Sequence, residues 1–179
     1  VAGGLTFLAS TDLSNDSTAD FTAFTSGSYD AYMFQLSNVT PASDSVSLRV
    51  RVSTDNGSSF LTSSIYDYVI DGTQRDFSSN SNGIVATGSD GDSSWSITPT
   101  NVGSNSSEYG VSGQLYINGP HLSKYTTLTC NTGYHDSSDR IVISHTYGEV
   151  RTTTAVDALR FYYSGGNLES GTITMYGIS

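Results

Sequence analysis

Val46-Ser47-Leu48-Arg49-Val50-Arg51-Val52-Ser53 alternates apolar and polar without a break. Wound as a helix, steps of two residues would turn by about 200° and scatter the four aliphatic side chains around the circumference. As a strand, Val46, Leu48, Val50 and Val52 line one buried face, and Ser47, Arg49, Arg51 and Ser53 line a wet one. Arg49 and Arg51 are expected to pair with acidic groups on neighbouring strands, with an acidic partner as the second reading. No run of Ala, Leu, Glu and Lys favours helix anywhere in the chain, so this strand sets the class as all-β.

The turn that follows, Ser53-Thr54-Asp55-Asn56-Gly57-Ser58-Ser59-Phe60, resembles the Asp-box, Ser-x-Asp-x-Gly-x-x-aromatic, of sialidase propellers and other β folds. There the box is a hairpin turn: the Asp accepts from backbone N–H groups, the Gly supplies a positive φ, and the aromatic packs beneath. A sialidase repeats the box blade by blade beside an arginine cluster, whereas here it occurs once. Ser53, Asp55, Gly57 and Phe60 are therefore assigned to a structural turn.

Outward from this block, Leu5–Ala9 and Ala19–Phe24 are expected as short edge strands. Tyr29–Val39 (YDAYMFQLSNV) is expected as a central one, with Tyr32, Phe34 and Leu36 on one face and a stop at Thr40-Pro41. Ile65–Ile70 places Tyr66, Tyr68 and Ile70 together. Gly72–Asn82 reads as a polar loop, followed by short strands at Ile84–Thr87 and Trp95–Thr98. Val111–Asn118, Lys124–Tyr134 and Ile141–Thr146 continue the pattern. Ala155–Ser179 (AVDALRFYYSGGNLESGTITMYGIS) reads as two apolar strands folded into a hairpin about a Gly-rich turn. Leu159, Phe161 and Tyr163 lie on one side of it, with Ile173 and Met175 opposite. Turn signals about every 8 to 15 residues point to a single domain over 1–179: an antiparallel β-sandwich of jelly-roll type with about 10 to 12 strands. A small barrel is the alternative.

Charged residues make up 13% of the 179, about half the usual share of roughly 25%. The net charge of −10 disfavours a surface that neutralises phosphates, so nucleic acid is not expected as a partner. No stretch approaches the ~20 apolar residues of a membrane-spanning helix, and VAGGLTFLAS lacks the basic start of a secretory signal. Cys130 has no partner for a disulfide and is read as a small buried hydrophobe.

Catalytic chemistry finds little purchase. His121, His135 and His145 stand apart, and HDSSD (His135–Asp139) reads as a solvated loop because zinc needs three or four ligands. Asp90-Gly91-Asp92 lacks the further ligands of a calcium loop. A Ser-His-Asp triad has no nucleophile elbow to support it, and the chain holds only the glutamates Glu108, Glu149 and Glu169. No catalytic, metal or cofactor-binding residue is assigned, and the protein is not read as an enzyme. The tyrosines are more informative. Tyr116, Tyr162 and Tyr176 fall on the phase opposite the aliphatics of their strands, where exposed Tyr among Ser, Asn and Gly suits protein interfaces and sugar stacking alike.

GLTFLAST, ADFTAFTSGSYDAYMFQLSNVTPASDSVSLRVRVSTDNGSSF, LYINGPHLSKYTTLTCNTGYH and TTAVDALRFYYSGGNLESGTITMYGIS, in that order, resemble a family of short virion proteins of tailed phages, many from marine bacteria. Members are usually described as tail-fibre-like or virion structural proteins. The resemblance implies a β-sandwich on the particle surface, assembled in the host cytoplasm, trimeric and without cofactor. Its partners would be copies of itself and the major capsid protein or tail proteins. Head decoration (a cement protein) is the first reading. A tail-fibre or receptor-binding protein that contacts host glycans is the alternative, and a non-viral carbohydrate-binding module the second alternative. Arg160, Tyr162, Thr174 and Tyr176, on the outward phase of the last two strands, are the candidates for intersubunit contact.

Overall fold

The computed structural model describes residues 4–24, 27–105 and 107–179, and its regular structure is all strand. In chain order the strands are β1 (Leu5–Asp16), β2 (Ala19–Phe21), β3 (Ala31–Pro41), β4 (Leu48–Ser53), β5 (Tyr66–Asp76) and β6 (Ser81–Asp92). They continue as β7 (Trp95–Ser96), β8 (Val111–Asn118), β9 (Thr126–His135), β10 (Arg140–Val150), β11 (Ala158–Tyr163) and β12 (Leu168–Ile178). Every pairing is antiparallel. An eight-stranded sheet runs β1-β12-β3-β8-β9-β10-β5-β6 and a four-stranded sheet runs β2-β11-β4-β7.

The two sheets form a β-sandwich. Within it β1 pairs with β12, β2 with β11, β3 with β8 and β4 with β7. Those are the pairings of one long antiparallel ribbon folded across the two sheets, with β9, β10, β5 and β6 added beyond β8. Between the sheets lies a continuous core that includes Phe34 and Leu36 of β3, Val50 and Val52 of β4, Leu159 and Phe161 of β11, and Ile173 and Met175 of β12. The aliphatic face of Val46–Ser53 is buried as its alternation requires, with Leu48, Val50 and Val52 fully covered. Trp95 stitches the layers together. Its indole N–H donates to the carbonyls of Asp67 (3.3 Å) and Glu149 (3.1 Å), tying the short sheet to β5 and β10. At Gly148 a Cβ would lie 2.7 Å from that indole nitrogen, so a side chain there would displace the tryptophan.

Three expectations are corrected. β11 and β12 are not a hairpin: β11 pairs with β2 and β4, whereas β12 pairs with β1 and β3 in the opposite sheet. Each strand buries one face, and the turn between them crosses the sandwich so that both faces meet in the core. Gly72–Asn82 is not a loop. β5 continues to Asp76 and β6 starts at Ser81, with pairing unbroken from Tyr68↔Ser89 to Asp76↔Ser81. β1 is not short, because the polar stretch to Asp16 stays paired with β12. Ladder hydrogen bonds join backbone to backbone, so a polar strand can hold its place without an apolar face. β1 and β2 are edge strands of their sheets, as expected, and Ala19–Phe21 is the strand part of the second.

Candidate functional site

The Asp-box-like turn closes on itself. Ser53 Oγ, fully buried, accepts from the N–H groups of Asp55 (3.1 Å) and Gly57 (2.9 Å) and donates to Asp55 Oδ1 (2.8 Å). Asp55 in turn accepts from the Ser59 N–H (2.8 Å) and hydroxyl (2.6 Å), bonds that hold its carboxyl below the usual range. Gly57 takes φ +79°, and a Cβ there would sit 2.7 Å from the Thr22 methyl. Phe60 lies under the Arg160 guanidinium, 4.0 Å from ring centroid to Cζ. The turn differs from a hairpin in what it joins, since β4 and β5 lie in different sheets.

The four intersubunit candidates separate onto the two outer faces. Arg160 and Tyr162 face outward from the short sheet. There Arg160 holds Asp20 through two bonds (2.7 and 2.6 Å), and Tyr162 takes the Arg51 guanidinium over its ring at 4.8 Å. Thr174 and Tyr176 face outward from the long sheet. Thr174 shares a hydroxyl hydrogen bond with Ser10 (3.0 Å), and Tyr176 meets the edge of Phe7. Arg49 pairs with Asp92 at 3.5 Å, an ion pair to the far end of β6.

The acidic and histidine clusters are spoken for. Asp67 and Asp90 both pair with Arg151, at 3.2 Å each, and Asp92 also accepts from the Tyr68 hydroxyl. HDSSD is not a solvated loop throughout: Asp136 is buried, accepts from the Ser138 and Arg140 N–H groups and pairs with the Arg140 guanidinium at 2.9 Å. His135 Nδ1 accepts from the Tyr109 N–H, and His145 Nδ1 is 2.6 Å from Asn131 Oδ1. Cys130 is buried, and desolvation pushes its thiol far up, leaving it unreactive. Among the described residues no group of three or more His, Cys, Asp or Glu could hold a metal ion.

Two surfaces remain. On the outer face of the long sheet, strand register aligns Phe7, Tyr176, Met33, Tyr116, Thr129, Tyr147, Val69 and Gly88 in one row across all eight strands. At about 4.8 Å per strand this row is about 34 Å long. A second row beside it runs Ser10, Thr174, Gln35, Gln114, Asn131, His145 and Asp71. Gln114 donates to Gln35 (3.2 Å), and Tyr116 of the first row donates to Gln114 (3.1 Å). The second surface is a cleft of about 380 Å³ lined by Phe24, Tyr32, Asn56, His121, Asp157 and their neighbours. The sequence reading flagged Tyr116 and Tyr176 but missed their alignment, which exists only once eight strands are in register. It gave Asp157 no role and left His121 as one isolated histidine, because the cleft draws on loops far apart in the chain.

The fold thus defines an antiparallel β-sandwich with one long sheet and one short one. No protein-family profile matches the sequence, and no curated protein is significantly similar to it.

Proposed function

We propose that the protein is a structural component of a tailed-phage virion, a trimeric head-decoration or cement protein on the capsid surface. The observation that carries this reading is the outer face of the long sheet. In a chain of net charge −10, the outward residues of β12, β3, β8 and β9 between the edges of the aromatic row and the amide row include no Asp, Glu, Lys or Arg. Charge depletion with tyrosine enriched, here Tyr176 and Tyr116, is the composition of an interface core. The sequence resemblance to tailed-phage virion proteins supports the same reading. Thr174 and Tyr176 belong to this face. Arg160 and Tyr162 are committed to Asp20 and Arg51, and in this reading they stabilise the short sheet.

A tail-fibre or receptor-binding role towards host glycans is the second reading, favoured by the cleft at one end of the sandwich. Cryo-EM of particles with the protein located by its density separates the two, and density on the tail alone would overturn the capsid assignment. In solution, sedimentation should show a trimer that Tyr116→Arg dissociates, with the monomer still folded. A strictly monomeric wild type, together with glycan binding, would favour the carbohydrate-binding module instead.

A further inference from the structure

The open side of β6 carries backbone groups that no strand of the sheet pairs. β6 has a strand neighbour on one side only. The Arg151 N–H donates to the Ile65 carbonyl at 2.8 Å, in step with the β5–β10 register, and this fixes the side that each β5 residue faces. Val69, Asp71, Thr73 and Arg75 turn their N–H and C=O groups to β10, whereas Ile70, Gly72, Gln74 and Asp76 turn theirs to β6. The β6 partners of that second set are Thr87, Val85, Gly83 and Ser81. The alternate residues Asn82, Ile84, Ala86 and Gly88 therefore aim their backbone groups away from the sheet, and all four are exposed. From Ser81 to Ser89 the pairing with β5 has no bulge, and the run SNGIVATGS holds no charge and no proline. The devices that usually close an edge to a further strand are missing from it.

What fits such an edge is another extended strand, and the chemistry favours β6 of a second copy. Chains of net charge −10 repel one another, but Ser81–Ser89 is a neutral stretch along which two can meet. An antiparallel pair of identical strands is also self-complementary about a two-fold axis. Full overlap of Ser81–Ser89 with itself places that axis at Val85. Ile84 then pairs with Ala86 of the second copy and Asn82 with Gly88, all residues whose backbone groups face outward, and each such pair exchanges two hydrogen bonds. Val85 meets Val85 across the axis in a non-hydrogen-bonded pair, the closer kind, with Cα atoms about 4.5 Å apart. Just past the overlap, Asp90 of each copy comes beside Asn80 of the other. Arg75 donates to Asn80 and Asn82 and has no carboxylate partner among the described residues, so this register brings opposite charges together at both ends.

We infer that β6 is a self-pairing edge: two copies join β6 to β6 about a two-fold axis at Val85, so that their long sheets run on as one. A single strand pair buries little apolar surface, so the contact is weak and fills at high protein concentration. It is separate from the outer-face contact through Tyr116 and links monomers or trimers alike. The test is disulfide trapping of concentrated protein in the Tyr116→Arg background, where the outer-face contact is removed. Val85→Cys should form a covalent dimer in a glutathione redox buffer, because the Cα separation across the axis falls within disulfide range. Thr87→Cys, on the same face of β6, should stay monomeric, since the two Thr87 positions lie four residues out of register, about 14 Å apart. The buried Cys130 takes no part. Without any added cysteine, Ala86→Pro should abolish the dimer that sedimentation detects at high concentration and leave the circular dichroism unchanged, because the N–H it removes points out of the sheet. No covalent dimer of Val85→Cys, equal trapping of the two cysteines, or undiminished association of Ala86→Pro would overturn the inference. Trimer formation and particle location test the virion role separately, so either conclusion can fail alone.

Discussion

Tyr66 shows how one hydroxyl couples distant parts of the chain. It accepts from the Val52 N–H (3.1 Å) and donates to the Leu61 carbonyl (2.8 Å), so it fixes both sides of the turn that leaves β4. Its ring is fully buried and meets Trp95 edge-on at 5.2 Å. Desolvation pushes the phenol up to about 12, opposed by the Val52 hydrogen bond. Because the folded value lies above the unfolded value of about 10, the neutral phenol contributes stability that is complete below pH ~10 and is lost as pH rises towards ~12. Tyr66→Phe leaves the Val52 N–H without its acceptor and should cost about 1–3 kcal/mol at neutral pH. Denaturant titrations of wild type and variant from pH 7 to pH 12 check both points. The gap between the two proteins should narrow above pH 10, and a constant gap would mean that the phenol is not shielded from water.

At the scale of elements, β6 is the exposed flank of the long sheet. It forms the free edge, Ile84 on it is 85% exposed, and no charged residue or proline occurs from Phe77 to Ser89. Natural edges are usually blunted by charge, proline or bulges, and this one carries a pairing irregularity only near its Asp92 end. Ala86→Lys should therefore suppress concentration-dependent association on mild heating, read by light scattering, with the circular dichroism unchanged. Association at the wild-type rate would show that contacts form elsewhere. The same hairpin shows why part of the fold was hidden in the sequence. Val111–Asn118 was legible to the residue because one of its faces is buried and the other wet. Along β6 both faces meet water, so no period of two marks it. At Ala155–Ser179 the buried faces were legible, but the partners were not: a strand with one apolar face fits a hairpin and a crossing between sheets equally well. His121 and Asp157 were less legible still, since no spacing relates two residues brought together by a bond between Pro120 and Val156.

For the molecule as a whole, Trp95 reports on whether the two sheets are joined. Its ring is buried between layers and its N–H is held by β5 and β10. Its fluorescence should shift to the red in the same denaturant step that removes the β-sheet circular dichroism. Two separate midpoints would mean that the long sheet outlives the sandwich. The placement of β12 sets the order in which that sandwich can be made. The last strand in the sequence lies between β1 and β3, so the first strand has no neighbour within its sheet until the final one arrives. During synthesis β3, β8, β9, β10, β5 and β6 can assemble before β12 is made, while β1 waits for a partner far along the chain, 160 residues from Asp12 to Thr172. Pairing of such distant segments is slow. Until β12 is made, the chain therefore carries two bare strand edges, on β1 and β3, that this one strand fits.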